Sequence, residues 1–290
     1  MIYILLILSL ALLVVGANWL VDGAAAIARR YHISEYIIGA TIVGSNIFNV
    51  FFILGVTALM MPIQYTRDNI RRDIPINIGA SVIVIILCAA GILWRGQYGL
   101  GRIDGVLMLC LFALYLWSSL RGGRELQAPS EDTSPAPTGL YRHTMVCVTA
   151  IVAGLAGLIY GGGMFVDAAS AIAREWGVSE AIIGLTIVAG GTSLPELVSS
   201  VIAVAKQKEQ MALGNIVGSN IFNLLLILGA AAVISPLTMG DITFIDWGVM
   251  LLSALALLAA SYTFKKRQLD RKDALIFLLI YVGYMAWLCY

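Results

Sequence analysis

The sequence predicts an all-α, polytopic membrane protein, and three observations carry that prediction. Of 290 residues, 60% are hydrophobic and only 12% are charged, with a mean hydropathy of +0.91; a soluble domain carries about twice that charge. The apolar residues are gathered into runs near the ~20 residues that cross a bilayer as a helix. The runs are continuous and do not alternate with period two, so their backbone polar groups must be satisfied inside helices, not around a barrel. A soluble globular fold is excluded.

Nine such runs follow one another: Ile2–Ala28, Ile37–Met61, Pro75–Trp94, Ile103–Leu120, Met145–Ala173, Ala181–Ala205, Met211–Ser235, Trp247–Phe264 and Ala274–Tyr290. Met1-Ile2-Tyr3 offers no basic stretch before the first, which therefore reads as a mature helix and not a cleaved leader. The stretch 121–143, rich in Gly, Pro, Ser and charge, reads as a linker between a first membrane repeat (1–120) and a second (144–290). A net charge of +1 gives no footprint for nucleic acid. Cys88, Cys110, Cys147 and Cys289 lie inside apolar runs without CxxC spacing, so neither a disulfide framework nor a zinc site is expected. His32 and His143 lie in polar connections, and no HExxH, GxSxG or phosphate-binding loop is present, so enzymatic chemistry is not indicated.

The chain repeats itself. At an offset of 145, Gly16–Val43 aligns with Gly161–Val188 and 16 of the 28 positions are identical, Asp22/Asp167 and Arg29/Arg174 among them. The offset then jumps to 174, where Gly44-Ser45-Asn46-Ile47-Phe48-Asn49 equals Gly218-Ser219-Asn220-Ile221-Phe222-Asn223. The difference is a block of 29 residues, Ala189–Val217, present in the second half and missing after Val43 in the first. Internal repeats of this kind mark transporters, whose substrate sites lie near the midplane where interrupted helices of the two halves meet.

The interruption is written in Ala189-Gly190-Gly191-Thr192-Ser193-Leu194-Pro195-Glu196. Pro195 lacks an N–H, which leaves the Gly191 carbonyl without its helical partner and available as a ligand oxygen. Glu196 is the ionisable residue deep in that run, and a carboxylate in hydrocarbon marks a substrate or ion path. Ser219 and Asn223, like Ser45 and Asn49, are four residues apart and share a helix face. Hydroxyls, amides, freed carbonyls and a carboxylate together form the oxygen-only ligand set that hard cations take. The competing reading makes the Ser and Asn residues interhelical glue and makes Gly214 and Gly218 a GxxxG seam for close packing. Asp22 and Asp167, near the membrane interface, read as packing or capping residues.

On these residues the chain resembles the sodium/calcium exchanger family, close to its bacterial calcium/sodium antiporters. The resemblance implies ten helices in two inverted repeats, each with a GTSLPE-like break followed by a GSNIFN-like stretch. It implies Glu196, Thr192, Ser193, Ser219 and Asn223 as cation ligands, with Ser45 and Asn49 as their mirror equivalents. It further implies Ca2+ and Na+ as the transported ions, no cofactor, and a bacterial or archaeal plasma membrane. The chain departs from the pattern in two places: the first repeat has no GTSLPE block, and Asn223 stands where many exchangers carry an acid. Glu196 is then the one carboxylate left of those expected around a divalent ion.

Charge distribution tests the count of crossings, because Lys and Arg of short loops stay on the cytoplasmic side. With the loop Lys265–Lys272 inside, Lys206 and Lys208 fall inside as well, as do Arg121, Arg124 and Arg142, and Arg67, Arg71 and Arg72; Arg95, Arg102 and Arg174 fall outside. Arg29 and Arg30 fall outside in a nine-span chain, and inside once one crossing is restored. The charges therefore suit ten helices, with Ile37–Met61 a fusion of two. Removing one crossing should make the repeats parallel unless a span is displaced or re-entrant. Three functions stay open on the sequence: Ca2+/Na+ exchange by alternating access, proton-coupled cation exchange through Glu196, and a transport-inactive scaffold that keeps the fold without the cage.

Overall fold

The computed structural model describes residues 35–96, 98–125, 164–177, 189–239, 242–264 and 267–288, with the single residues 156 and 161. The first described element is one unbroken rod: α1 (Glu35–Ile47), a π-helical segment π1 (Phe48–Leu54) and α2 (Gly55–Met60). The fusion read from the sequence is thus a single helix. After β1 (Ile63–Gln64) and a short π-helix π2 (Asn69–Asp73) come α3 (Ile74–Arg95), β2 (Gly99–Leu100) and α4 (Arg102–Glu125). Gly96, at φ 66°, ends α3 in the left-handed conformation that glycine adopts without strain.

A helical stretch at 164–175 precedes the break. Beyond it lie α5 (Ala189–Thr192), α6 (Leu194–Ala205), α7 (Glu209–Ile221), π3 (Phe222–Ile227) and α8 (Leu228–Ile234). The chain closes with β3 (Leu237–Thr238), α9 (Phe244–Ala260), β4 (Gln268–Leu269) and α10 (Arg271–Leu288). Thr243 and Asp246 start α9 with a reciprocal capping box. Large apolar side chains such as Leu93, Ile103, Leu114, Leu279 and Val282 face outward, as lipid contact requires.

The two halves are related by an exchange of partners. Strand β1, after the first rod, pairs with β4 in register Ile63↔Leu269; strand β3, after the second, pairs with β2 in register Leu237↔Leu100. The rods follow the same rule. A Cβ on Gly55 would come 2.8 Å from Leu278 Cγ of α10, and a Cβ on Gly229 would come 3.1 Å from Met108 Cβ of α4, so both helices approach at a mirror-equivalent glycine. Residues 35–125 and 209–288 therefore keep an inverted relation. The expectation that losing a crossing would make the halves parallel does not hold for these segments. Packing at the GSNIFN stretch and at Gly55 fixes the first rod from its C-terminal part.

The two β-pairs mark opposite ends of the bundle. Tyr65 N–H donates to the Arg267 carbonyl at 2.8 Å, and Gln210 Nε2 donates to the Gln64 carbonyl at 2.9 Å, which gathers the loops bearing Arg67, Arg71, Arg72, Lys206, Lys208, Arg267, Arg271 and Lys272 at one end. Arg95 and Arg102 flank β2 at the other. Cys88 is buried and Cys110 exposed, and neither is in a disulfide.

Candidate functional site

Each half contributes a differently built element to the centre. In the second half the run Ala181–Ala205 is not one helix. Two glycines weaken helical propensity and Pro195 removes a donor, so α5 ends and α6 begins at Ser193, whose φ of −99° and ψ of 7° lie outside the helical region. Pro195 occupies the first turn of α6, where its missing N–H costs nothing. Glu196 lies in the same turn, at the positive end of the half-helix dipole.

Around Glu196 the polar groups converge. Ser219 Oγ of α7 donates to Glu196 Oε1 at 3.3 Å, and Glu196 Oε2 is buried with no partner among the described residues. Asn215, one turn earlier on α7, braces the start of α6: its Nδ2 lies 3.0 Å from both Ser199 Oγ and Ser200 Oγ and 3.4 Å from the Glu196 carbonyl. A buried acceptor without a donor is costly, of order 1–3 kcal/mol and more for a charged group. A cation is the partner that an unpaired carboxylate oxygen suits.

The first half meets this centre through the straight rod. Ser45 Oγ and Thr192 Oγ1 share a hydrogen bond of 3.0 Å, tying α1 to the break. Asn49 Nδ2 donates to Asn220 Oδ1 at 2.9 Å, Asn220 Nδ2 donates to the Asn46 carbonyl at 3.3 Å, and Asn223 Nδ2 donates to Asn46 Oδ1 at 3.2 Å. Asn46, Asn49 and Asn220 are each at most 2% exposed, so these amides have little water to fall back on. The π-helical segments π1 and π3 each begin at the Phe of GSNIFN, and Asn49 and Asn223 are second in each. A π-segment widens the turn and frees backbone groups, and such segments cluster at functional sites.

The seven residues read from the sequence are distributed as follows. Glu196 joins Ser219, Ser45 joins Thr192, and Asn49 and Asn223 reach the partner half through Asn220 and Asn46. Ser193 is buried at the break, and its side chain makes no capping bond. The sequence reading missed Asn46, Asn215 and Asn220. The central Asn of GSNIFN, repeated in both halves, was the available signal for two of them; spacing of i and i+4 picked only Ser and the last Asn, because it follows one helix face and Asn46 and Asn220 stand one residue round from Ser45 and Ser219. The GxxxG reading finds no support among the described residues, none of which a Cβ on Gly214 or on Gly218 would meet within 4 Å. These glycines form no tight seam with the described residues. Asp167 is exposed, and Asp22, His32 and His143 lie outside the described residues. Among the described residues no three His, Cys, Asp or Glu side chains cluster.

Comparison with known proteins gives one consistent result. A family model described as sodium/calcium exchanger protein matches residues 1–43, 40–121 and 147–290. Its first two pieces meet at 40–43, where the repeat offset jumps. CaxA of Alkalimonas amylolytica, named as an antiporter, is 35% identical over 323 aligned positions, covering 97% of this chain and 96% of that protein. That alignment is longer than the 290-residue chain, as an alignment across a missing block must be. The inner membrane protein YrbG of Escherichia coli is 33% identical over 87% of this chain and 86% of its own length. Among solved structures, the sodium-calcium exchanger NCX_Mj soaked with zero Na+ and Ca2+ superposes with a TM-score of 0.70 at 28% identity, over 94% of this chain and 83% of that one.

Proposed function

Because the chain belongs to the sodium/calcium exchanger family, we infer that it is an integral membrane antiporter of bacterial or archaeal plasma membrane, coupling Na+ to Ca2+ through one shared site. Its ligands are Glu196, Thr192, Ser193 and Ser219 of the second half, with Asn223, and Ser45 and Asn49 of the first. It moves ions and makes or breaks no covalent bond. One observation carries the assignment: Glu196 Oε2 is buried and unpartnered beside Ser219, in the first turn of a half-helix whose neighbour is tied to the other repeat through Thr192 and Ser45.

Alternating access at such a site needs two sets of contacts that can part. The bond between Ser45 and Thr192 joins the rod to the break, and the Asn49–Asn220 and Asn46–Asn223 bonds join the rods to each other. Rocking the break against the rods exposes Glu196 to one side or the other while the amide bonds hold the rods together.

The single carboxylate favours a particular ion in the chain as it stands. A desolvated Ca2+ beside one carboxylate keeps a net positive charge, and an uncompensated charge in a low-dielectric interior costs on the order of several kcal/mol. Neutral hydroxyls and amides lower that cost without cancelling it. Na+ is neutralised by Glu196 alone, so this chain binds Na+ in preference to Ca2+ and exchanges Ca2+ slowly. Isothermal titration of the purified protein tests the site: Glu196→Gln keeps the shape, loses the charge and abolishes cation binding, whereas Asp22→Asn leaves it intact. Equal binding by wild type and Glu196→Gln rejects the site.

A further inference from the structure

Asn49 is an awkward ligand. Its amide has an oxygen at one end and an NH2 at the other, nearly equal in shape, and only the oxygen can face a cation. Something must decide which end is presented. On the reading of Glu196, Ser45 and Asn49 as ligands, the geometry points to Asn220 as the positioning residue that turns the Asn49 amide oxygen-first toward the ion.

One group in this chain of bonds cannot flip. The Asn46 backbone carbonyl accepts and never donates, so the end of Asn220 that lies 3.3 Å from it must be Nδ2. Asn220 Oδ1 is then fixed at the opposite end, 2.9 Å from the Asn49 amide, and an acceptor there demands the Asn49 Nδ2. Asn49 Oδ1 is left over, buried and without a partner. Asn220 is 2% exposed and Asn49 1%, so water does not compete for these bonds. Two hydrogen bonds in series thus carry the polarity of a backbone carbonyl in one repeat to the ligand oxygen, by way of an Asn in the other.

The mirror pair lacks this anchor. Asn223 Nδ2 donates to Asn46 Oδ1 at 3.2 Å, but Asn46 Nδ2 is buried with no partner. Turning both amides over together keeps their mutual bond, so none of the described residues fixes which end Asn223 presents. One ligand amide is pinned and its symmetry mate can swap.

The test is an interaction between two substitutions. Asn220→Leu removes the acceptor that holds Asn49 and weakens Na+ affinity about tenfold, the size of one buried hydrogen bond. In the Asn49→Asp background both ends of side chain 49 are oxygen, no turning is needed and the Asn220 oxygen has no N–H to accept from, so adding Asn220→Leu does not weaken Na+ affinity. Titration calorimetry with NaCl on the purified full chain reads all four proteins, with Asn220→Ala as the second replacement should Leu fail to give monodisperse protein. A residue that merely packs costs the same in both backgrounds, and that result overturns the positioning role while leaving the site intact. If wild type shows no heat with Na+ or Ca2+, the site assignment falls and the positioning role falls with it.

Discussion

The two GSNIFN segments are identical in sequence and unequal in surroundings. Glu35–Asn49 and Glu209–Asn223 occupy equivalent rods, each with 13 α-helical residues before a π-segment. The second rod is preceded by a broken helix, and Asn215 and Ser219 reach across to it. The first rod has Thr41 at the position equivalent to Asn215, and Ala189–Val217 has no counterpart before it. Residues 35–43 therefore resemble 180–188 in sequence and take the structural place of 209–217. What a segment packs against, more than what it descends from, sets its role here.

Restoring the missing element is the strongest way to break this comparison. Inserting a 29-residue block copied from Ala189–Val217 after Val43 supplies a second break, a second carboxylate and one more crossing. Sodium-gradient-driven 45Ca uptake in everted vesicles should rise from near background to a robust rate at equal expression. Robust uptake by the unmodified chain would show that one carboxylate suffices.

A smaller change addresses charge alone. Asn223→Asp adds a second carboxylate at the swappable amide and gives the buried Asn46 Nδ2 an acceptor. Because Ca2+ affinity rises with ligand charge, a gain of about tenfold or more in Ca2+ affinity is expected, with a fall in Na+ preference. Titration of both ions against the same preparation measures it; an unchanged ratio would place Asn223 outside the site.

The glycines sharpen the comparison at the level of stability, with opposite signs. Gly55→Ala places a methyl 2.8 Å from Leu278 Cγ and Gly229→Ala places one 3.1 Å from Met108 Cβ, so each should destabilise by about 1–3 kcal/mol through overpacking. Gly214→Ala enters open space in α7 and should stabilise by about 0.5–1 kcal/mol through helix propensity. Thermal unfolding of the three variants decides, and a destabilised Gly214→Ala would revive the GxxxG seam.

Orientation is tested with the least effect on the protein. With the basic end inside, single cysteines near Arg67 and near Arg267 in a background lacking the four native cysteines should resist a membrane-impermeant maleimide added to intact cells, and one at Tyr290 should react. Labelling of the two loops with protection of Tyr290 would invert the bundle.

Most of the helical architecture was legible because hydrocarbon leaves a chain few options. Runs such as Pro75–Trp94 and Ile103–Leu120 must be helices, and the helices Ile74–Arg95 and Arg102–Glu125 overlay them closely. The break was legible because Gly190, Gly191 and Pro195 act on their own backbone, and Glu196 because a lone carboxylate in lipid is conspicuous. The missing block was legible as a jump in offset. Local chemistry and one-dimensional repetition determine such features without reference to any other part of the chain.

The tertiary structure alone decided what depends on two distant segments at once. The π-segments that begin at Phe48 and Phe222 were not legible in the sequence, and the amides of Asn46 and Asn220 acquire meaning only when the rods cross. Gly55 and Gly229 became the close approaches while Gly214 and Gly218 did not, since a small residue makes a seam only where another helix arrives. The inverted relation of residues 35–125 and 209–288 was likewise decided in space. Strand exchange between β1 and β4, and between β2 and β3, joins segments far apart in sequence, and pairing over that separation is fixed by complementary surfaces in space.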